Sequence, residues 1–274
     1  MKLLIACDME GISGVATWNH VDPSHAEYQR FRRIMTQDVN AAIQGAAAGG
    51  ADEIIVTDGH WNGDNILIEE IDPRAKLNTG SPSPLSMVQG IDQGVDAVIL
   101  VGYHARIGSQ AGILDHTWSS VRVANLWING RLVGETGLNG SVAGHFGAPV
   151  LMISGDQTVA AEAKSFIPEV ETVIVKKASS RHSAECLAPA VSQAMIRETA
   201  EKAVRRFLAG QGPAPLQQDL PVTIEIEFMY SDMADRACML PGSKRVSGTK
   251  VAYTAPDMLA AYLAFRSLVT LAAR

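Results

Sequence analysis

Asp8 and Glu10 flank Met9 directly after the apolar run at residues 3–7. Asp58 and His60 follow a second such run at 53–57, and His104 follows a third at 97–101. In open α/β sheets, sites form beyond the carboxyl ends of the strands. If the three runs are neighbouring parallel strands, their polar ends meet in space. Two histidines with several carboxylates suit Zn, Mn, Co or Fe better than Ca or Mg, which prefer oxygen alone. In extended geometry Asp8 and Glu10 point the same way. A carboxylate can also bridge two metals about 3.5–4 Å apart, the spacing of co-catalytic sites.

Each residue has a plainer reading when taken singly. Asp8 serves as a turn or cap residue, Glu10 as a solvated loop charge, and His104 as a hydrogen-bonded core histidine. Their coincidence at three strand ends is what favours a metal site. Two further residues stay open between roles. His116, beside Asp115, is either a loop histidine or a proton shuttle. Glu135, in Gly134-Glu135-Thr136-Gly137, either complements a helix dipole or adds a metal ligand. Gly11 and Gly14 stand where a dinucleotide fold places its phosphate loop, but GxGxxG is absent. Two acids occupy the place of the phosphates and would repel a pyrophosphate.

The elements that must position these residues follow from patterning. Continuous β-branched runs at 3–7, 53–57, 97–101, 149–154 and 172–175 predict strands covered on both faces, as in parallel sheets. Between the first two, Ser24 and Glu27 have capping-box spacing, apolar residues recur from Phe31 to Ala46, and Gly49-Gly50 ends a helix. Further helices are expected at 137–147, 156–166, 189–208 and 258–271. Asn129-Gly130 signals a hairpin, an antiparallel excursion beside the sheet. The segment 211–220, rich in Gly, Pro and Gln, reads as a linker, and 222–228 alternates cleanly. The expected fold is α/β, a largely parallel sheet with flanking helices. Residues 1–210 would form the core and 211–274 a small C-terminal α+β subdomain packed on it.

Composition narrows the class. The chain has 274 residues, 47% hydrophobic, 19% charged and 5% aromatic, with a formal net charge of -6. It can bury a large core without metal or disulfide staples. The acidic balance argues against nucleic acid as a partner. Cys7, Cys186 and Cys238 form no CxxC, which excludes a disulfide framework and a cysteine-rich zinc site. No apolar run approaches the ~20 residues of a membrane span. Asp8 and Glu10 interrupt the N-terminal apolar run too early for a signal peptide. A reducing cytoplasm is the expected compartment.

Several blocks together resemble the DppA-type zinc D-aminopeptidases. They are Asp8-Met9-Glu10-Gly11-Ile12-Ser13-Gly14, Asp58-Gly59-His60, Ser86-Met87-Val88-Gln89-Gly90 and Gly102-Tyr103-His104-Ala105-Arg106. Gly134-Glu135-Thr136-Gly137-Leu138-Asn139, Pro149-Val150-Leu151-Met152 and Met239-Leu240-Pro241-Gly242 continue the match in the family's order. The resemblance implies two zinc ions per subunit held by Asp8, Glu10, His60, His104 and Glu135, with Asp8 bridging. His116 matches the family's catalytic histidine, usually described as a nucleophile, although imidazole beside metals is better suited to general acid/base work. The implied activity is hydrolysis of short peptides with an N-terminal D-residue, such as D-Ala peptides. A ring-shaped homo-oligomer, a decamer, is implied as well. Asp115 departs from the family's small polar residue, and the loop before it is one residue longer. Substrate preference therefore stays open. A hydrolase of another amide, an L-preferring peptidase and a non-catalytic peptide-binding accessory of dipeptide transport are the alternatives.

Overall fold

The computed structural model describes residues 1–273. The first sheet contains β1 (Lys2–Cys7), β2 (Glu53–Asp58), β3 (Ala75–Asn78), β4 (Ala97–Val101), β7 (Val150–Asp156), β8 (Glu171–Ser180) and β9 (Ser183–Cys186). The second contains β5 (Val123–Ile128), β6 (Arg131–Val133), β10 (Val222–Phe228), β11 (Lys244–Arg245) and β12 (Lys250–Ala255). The helices are α1 (Tyr28–Gly49), α2 (Glu135–His145), α3 (Gln157–Phe166), α4 (Pro189–Leu208), α5 (Ser231–Ala237) and α6 (Met258–Leu271).

The first sheet has the order β3-β2-β1-β4-β7-β8-β9. Its strands pair in parallel from β3 to β8, and only β9 runs antiparallel. The chain moves outward one way through β2 and β3, then the other way through β4, β7 and β8. The switch lies between β1 and β4, where a crevice opens beyond the strand ends. Alternate residues of β1 explain its unbroken apolar run. Leu3, Ile5 and Cys7 pack with Phe31, Met35 and Val39 of α1 and Ile196 and Val204 of α4. Leu4 and Ala6 belong to the opposite core, with Leu138 and Val142 of α2 and residues of the second sheet and α6.

The Asn129-Gly130 hairpin forms as expected, with both residues at positive φ (49° and 77°), the two-residue turn that suits twisted strands. Its strands join the second sheet, whose order is β11-β12-β10-β5-β6. This sheet thus draws strands from both sides of the 211–220 segment. β10 alternates buried and half-buried residues, as its sequence suggests.

One local expectation is corrected. The capping box of Ser24 and Glu27 does not form. Ser24 bonds Asp22 through both its amide and hydroxyl, and α1 begins at Tyr28 after Glu27, which makes no side-chain cap. The other end behaves as expected, with Gly50 at φ 114° and its amide bonded back to the last turn.

Candidate metal centre

Asp8 and Glu10 leave β1 at the switch point. The loop that carries them crosses the loop after β4 at very close range. Gly11 N donates to Gly102 O at 2.7 Å, and Asp8 N to Val101 O at 2.9 Å. A Cβ on Gly11 would lie 2.0 Å from Tyr103 O, and one on Gly102 would lie 2.2 Å from Asp8 O. Only glycine permits this approach. His60 follows β2, His104 follows β4, and Glu135 opens α2 after the β5–β6 hairpin. All five residues are at most 4% exposed, and His116 is 8% exposed.

The structure brings all six together. His60 Nδ1 lies 3.1 Å from Asp8 Oδ1 and 3.1 Å from Glu10 Oε2. His104 Nε2 lies 3.4 Å from both Asp8 Oδ2 and Glu135 Oε1. His116 Nε2 lies 4.0 Å from Glu10 Oε1 and 3.8 Å from Glu135 Oε1. Ligand atoms of Asp8, Glu10 and His104, and of His104, His116 and Glu135, fall within 4.8 Å of one another.

The other nitrogen of each ring decides what the cluster can hold. His60 Nε2 donates to Val21 O, His104 Nδ1 to Ala105 O, and His116 Nδ1 to Leu114 O. A carbonyl only accepts, so each ring carries its proton there. The remaining nitrogens then present lone pairs toward carboxylate oxygens. Lone pair against anion is repulsive unless a proton or a cation lies between them. At His60 and His104 of the metal-free chain, a proton takes that place. Burial disfavours the His60 and His104 imidazolium forms, but Glu10 and Asp8 at His60, and Glu135 and Asp8 at His104, outweigh it and raise both well above the usual histidine range. Burial also pushes Asp8 up, but the neighbouring imidazoles of His104 and His60 hold it well below the ordinary carboxylate range. Glu10 Oε2 and His104 Nε2 are buried without a hydrogen-bond partner. Backbone-anchored imidazoles with free nitrogens facing carboxylates are the donor set of a metal centre, and the residues fit zinc.

Asp58, beside His60 in sequence, is spent elsewhere. It accepts from Asn65 N, Asn65 Nδ2 and Ile66 N, shaping the loop after β2. Asp115 does not touch His116 through a hydrogen bond. It accepts from Gly108 N at 2.6 Å and from Arg181 Nε at 2.8 Å, holding the loop that carries His116. Trp18 is tilted against the His116 ring at 5.6 Å between centroids, and the Arg181 guanidinium sits 5.7 Å from the Trp18 ring.

Trp18, Arg181 and Lys176 join the site without a motif or spacing that marks them in the sequence. Lys176 Nζ donates to Glu10 O, Ile12 O and Val15 O at 2.6, 2.9 and 2.8 Å. A register shift beside Gly155 and Asp156 breaks the alternation of β8, so Val175 and Lys176 are both buried. Regular alternation would place that lysine outside.

The D-aminopeptidase family model matches residues 1–267. The chain is 38% identical to the D-aminopeptidase of Bacillus subtilis, over all of this chain and 98% of the relative. It also superposes on the structure of the Zn-dependent D-aminopeptidase DppA from Bacillus subtilis, described as a self-compartmentalizing protease. The TM-score is 0.94, at 37% identity, over 99% of this chain and 98% of that one.

Proposed function

The chain belongs to the D-aminopeptidase family, and from that premise we propose that it is a zinc-dependent aminopeptidase removing N-terminal D-residues from short peptides, D-Ala peptides among them. The observation that carries the reading is the three backbone-anchored imidazoles aimed at Asp8, Glu10 and Glu135.

Asp8, Glu10, His60, His104 and Glu135 would hold two zinc ions per subunit. The donors divide naturally: Asp8 Oδ1 and Glu10 face His60, while Asp8 Oδ2 and Glu135 face His104. Asp8 would thus serve both halves. When bound, zinc supplies Lewis acidity to the scissile carbonyl and lowers the pKa of a coordinated water toward about 7. His116 stands beside this donor set with Nε2 free, its Nδ1 proton fixed on Leu114 O. It takes a proton from the attacking water and returns it to the departing amine, a role worth typically about 10²–10⁴-fold. Trp118 N donates to Glu135 Oε1 at 2.6 Å and fixes that carboxylate. Residues 1–210 and 211–274 work as one unit, since strands from both build the second sheet around which α2 packs.

We place the protein in the cytoplasm as a ring-shaped homo-oligomer, a decamer. The relative's self-compartmentalizing character supports the assembly. The three cysteines are free, which suits a reducing compartment. Among the described residues, no helix is long and apolar enough to cross a membrane.

A panel of D- and L-aminoacyl p-nitroanilides and dipeptides, with and without chelator, tests the activity. Chelator-sensitive cleavage of the D-series is expected. Preference for the L-series would overturn the stereochemical assignment, and absence of cleavage throughout would overturn the enzyme.

A further inference from the structure

We infer that Lys176 is a positioning residue for the metal centre, its ammonium serving as an internal cation that fixes the backbone of residues 8–15 and so aims Asp8 and Glu10. The inference rests on the metal-centre reading above. Lys176 is 1% exposed, in β8, which β4 and β7 separate from β1. Its three protons go to three carbonyls of one loop: Glu10 O, Ile12 O and Val15 O. Burying an ammonium is costly unless it is fully hydrogen-bonded or paired. An apolar side chain would fill the same space without that cost, so packing does not account for a lysine here.

The loop itself explains the choice. Residues 8–15 lie between β1 and the segment leading to α1 and, beyond the bond from Asp8 N to Val101 O, pair with no strand. Their amides are already spent: Gly11 N on Gly102 O, Ile12 N on Met9 O, Val15 N on Ile12 O, and Ser13 N on Asp38 Oδ2. Buried carbonyls without donors are costly too. Lys176 supplies the donor to Glu10 O and to Val15 O and a second donor to Ile12 O, all from one point, and charge-assisted bonds are the stronger kind. Glu10 is the residue on which the arrangement converges: its carbonyl meets the ammonium and its carboxylate faces His60. The ammonium is also attracted by the carboxylates of Asp156, Asp38 and Glu10. Ser13, bonded to Asp38 of α1 and Ser192 of α4, anchors the far end of the same loop.

The test is zinc affinity of the metal-free full-length chain, measured by chelator competition, for wild type, Lys176→Met, Lys176→Gln and Glu10→Gln. Amide hydrogen exchange on the same proteins reports the loop directly. Loss of such a support typically costs about 10–100-fold in metal affinity. That loss is expected for Lys176→Met, with faster exchange confined to residues 8–15. Lys176→Gln, which keeps two N–H donors, should lose less. A folded Lys176→Met or Lys176→Gln protein with wild-type zinc affinity and loop exchange would overturn the inference. Failure of both variants to fold while Glu10→Gln folds would also overturn it, because the lysine would then serve the fold at large. Should the wild type bind no zinc, the metal-centre reading fails first, and the exchange data still decide whether Lys176 holds the loop.

Discussion

The imidazoles of His104 and His116 stack with centroids 4.0 Å apart and planes 12° from parallel. Both turn Nε2 toward Glu135 Oε1, at 3.4 Å for His104 and 3.8 Å for His116. Only His104 also reaches Asp8, and its Nε2 is buried without a hydrogen bond, whereas His116 is the more exposed ring. This geometry suits His104 as ligand and His116 as the group that exchanges protons with substrate. His116→Ala should therefore keep both zinc ions and lose about 10²–10⁴-fold in kcat. Metal analysis beside steady-state rates checks this. Trapping an acyl-histidine on the wild type would replace the acid/base role with nucleophilic attack.

Asp8 offers one oxygen to each histidine-bearing half of the cluster. Asp8→Asn keeps its shape and loses its charge. It should bind at least one zinc ion fewer per chain and retain almost no activity, since ligands must be ionised. Two ions per chain in that variant would show that Asp8 does not bridge.

Gly11 passes within van der Waals distance of the β4 loop. In Gly11→Ala the new Cβ would meet Tyr103 O at 2.0 Å, so the backbone must move. Overpacking of this kind costs about 1–3 kcal/mol. The displaced loop carries Asp8 and Glu10, so zinc affinity should fall along with the melting temperature. An unchanged zinc affinity would mean that the site tolerates movement of this loop.

Arg181 holds the His116 loop through Asp115 from the β8–β9 turn, donating through Nε to Oδ1 and through Nη2 to the Asp115 carbonyl. Its side chain is 45% exposed, so the pair adds at most about 1 kcal/mol to stability. Its effect should instead fall on catalysis. A misplacement of about 1 Å can cost up to about 10²-fold in rate. Arg181→Ala should lower kcat while zinc content and melting temperature hold. A full wild-type rate would remove the clamp from the account.

Asp38 gives a pH signature remote from the metal ligands. Burial pushes its carboxyl up to about 6, against hydrogen bonds from Ser13 and Gln193 that favour the charged form. A folded-state pKa above the unfolded one means that the folded chain binds the extra proton. This stabilisation is present below about pH 4 and is lost as the pH rises through about 6. A shift of roughly two units corresponds to about 3 kcal/mol at most. Asp38→Asn should therefore melt progressively higher relative to wild type as the pH rises from 4 to 7. A difference independent of pH would contradict the assignment.

The parts legible in the sequence are those set by local pattern. β1, β2 and β4 announce themselves as apolar runs because both faces of the sheet are covered, and the proposed ligands Asp8, Glu10, His60 and His104 stand where those runs stop. The Asn129-Gly130 turn is equally local. The start of α1 was obscured because Ser24 finds a nearer partner in Asp22 than a helix amide. β3, β9 and β11 are short, half-buried or exposed, and gain their extended form from a neighbour rather than from their own residues. Lys176 depends on a register shift, and the Arg181–Asp115 pair joins positions 66 residues apart. Neither leaves a local trace.

The central claim is best tested by stripping the enzyme of metal and following release of free D-Ala from D-Ala-D-Ala as zinc is added back. The account predicts no release without metal, and a rate that rises and levels off at two zinc ions per chain. Undiminished release by the stripped protein, or none at any zinc level, would contradict it.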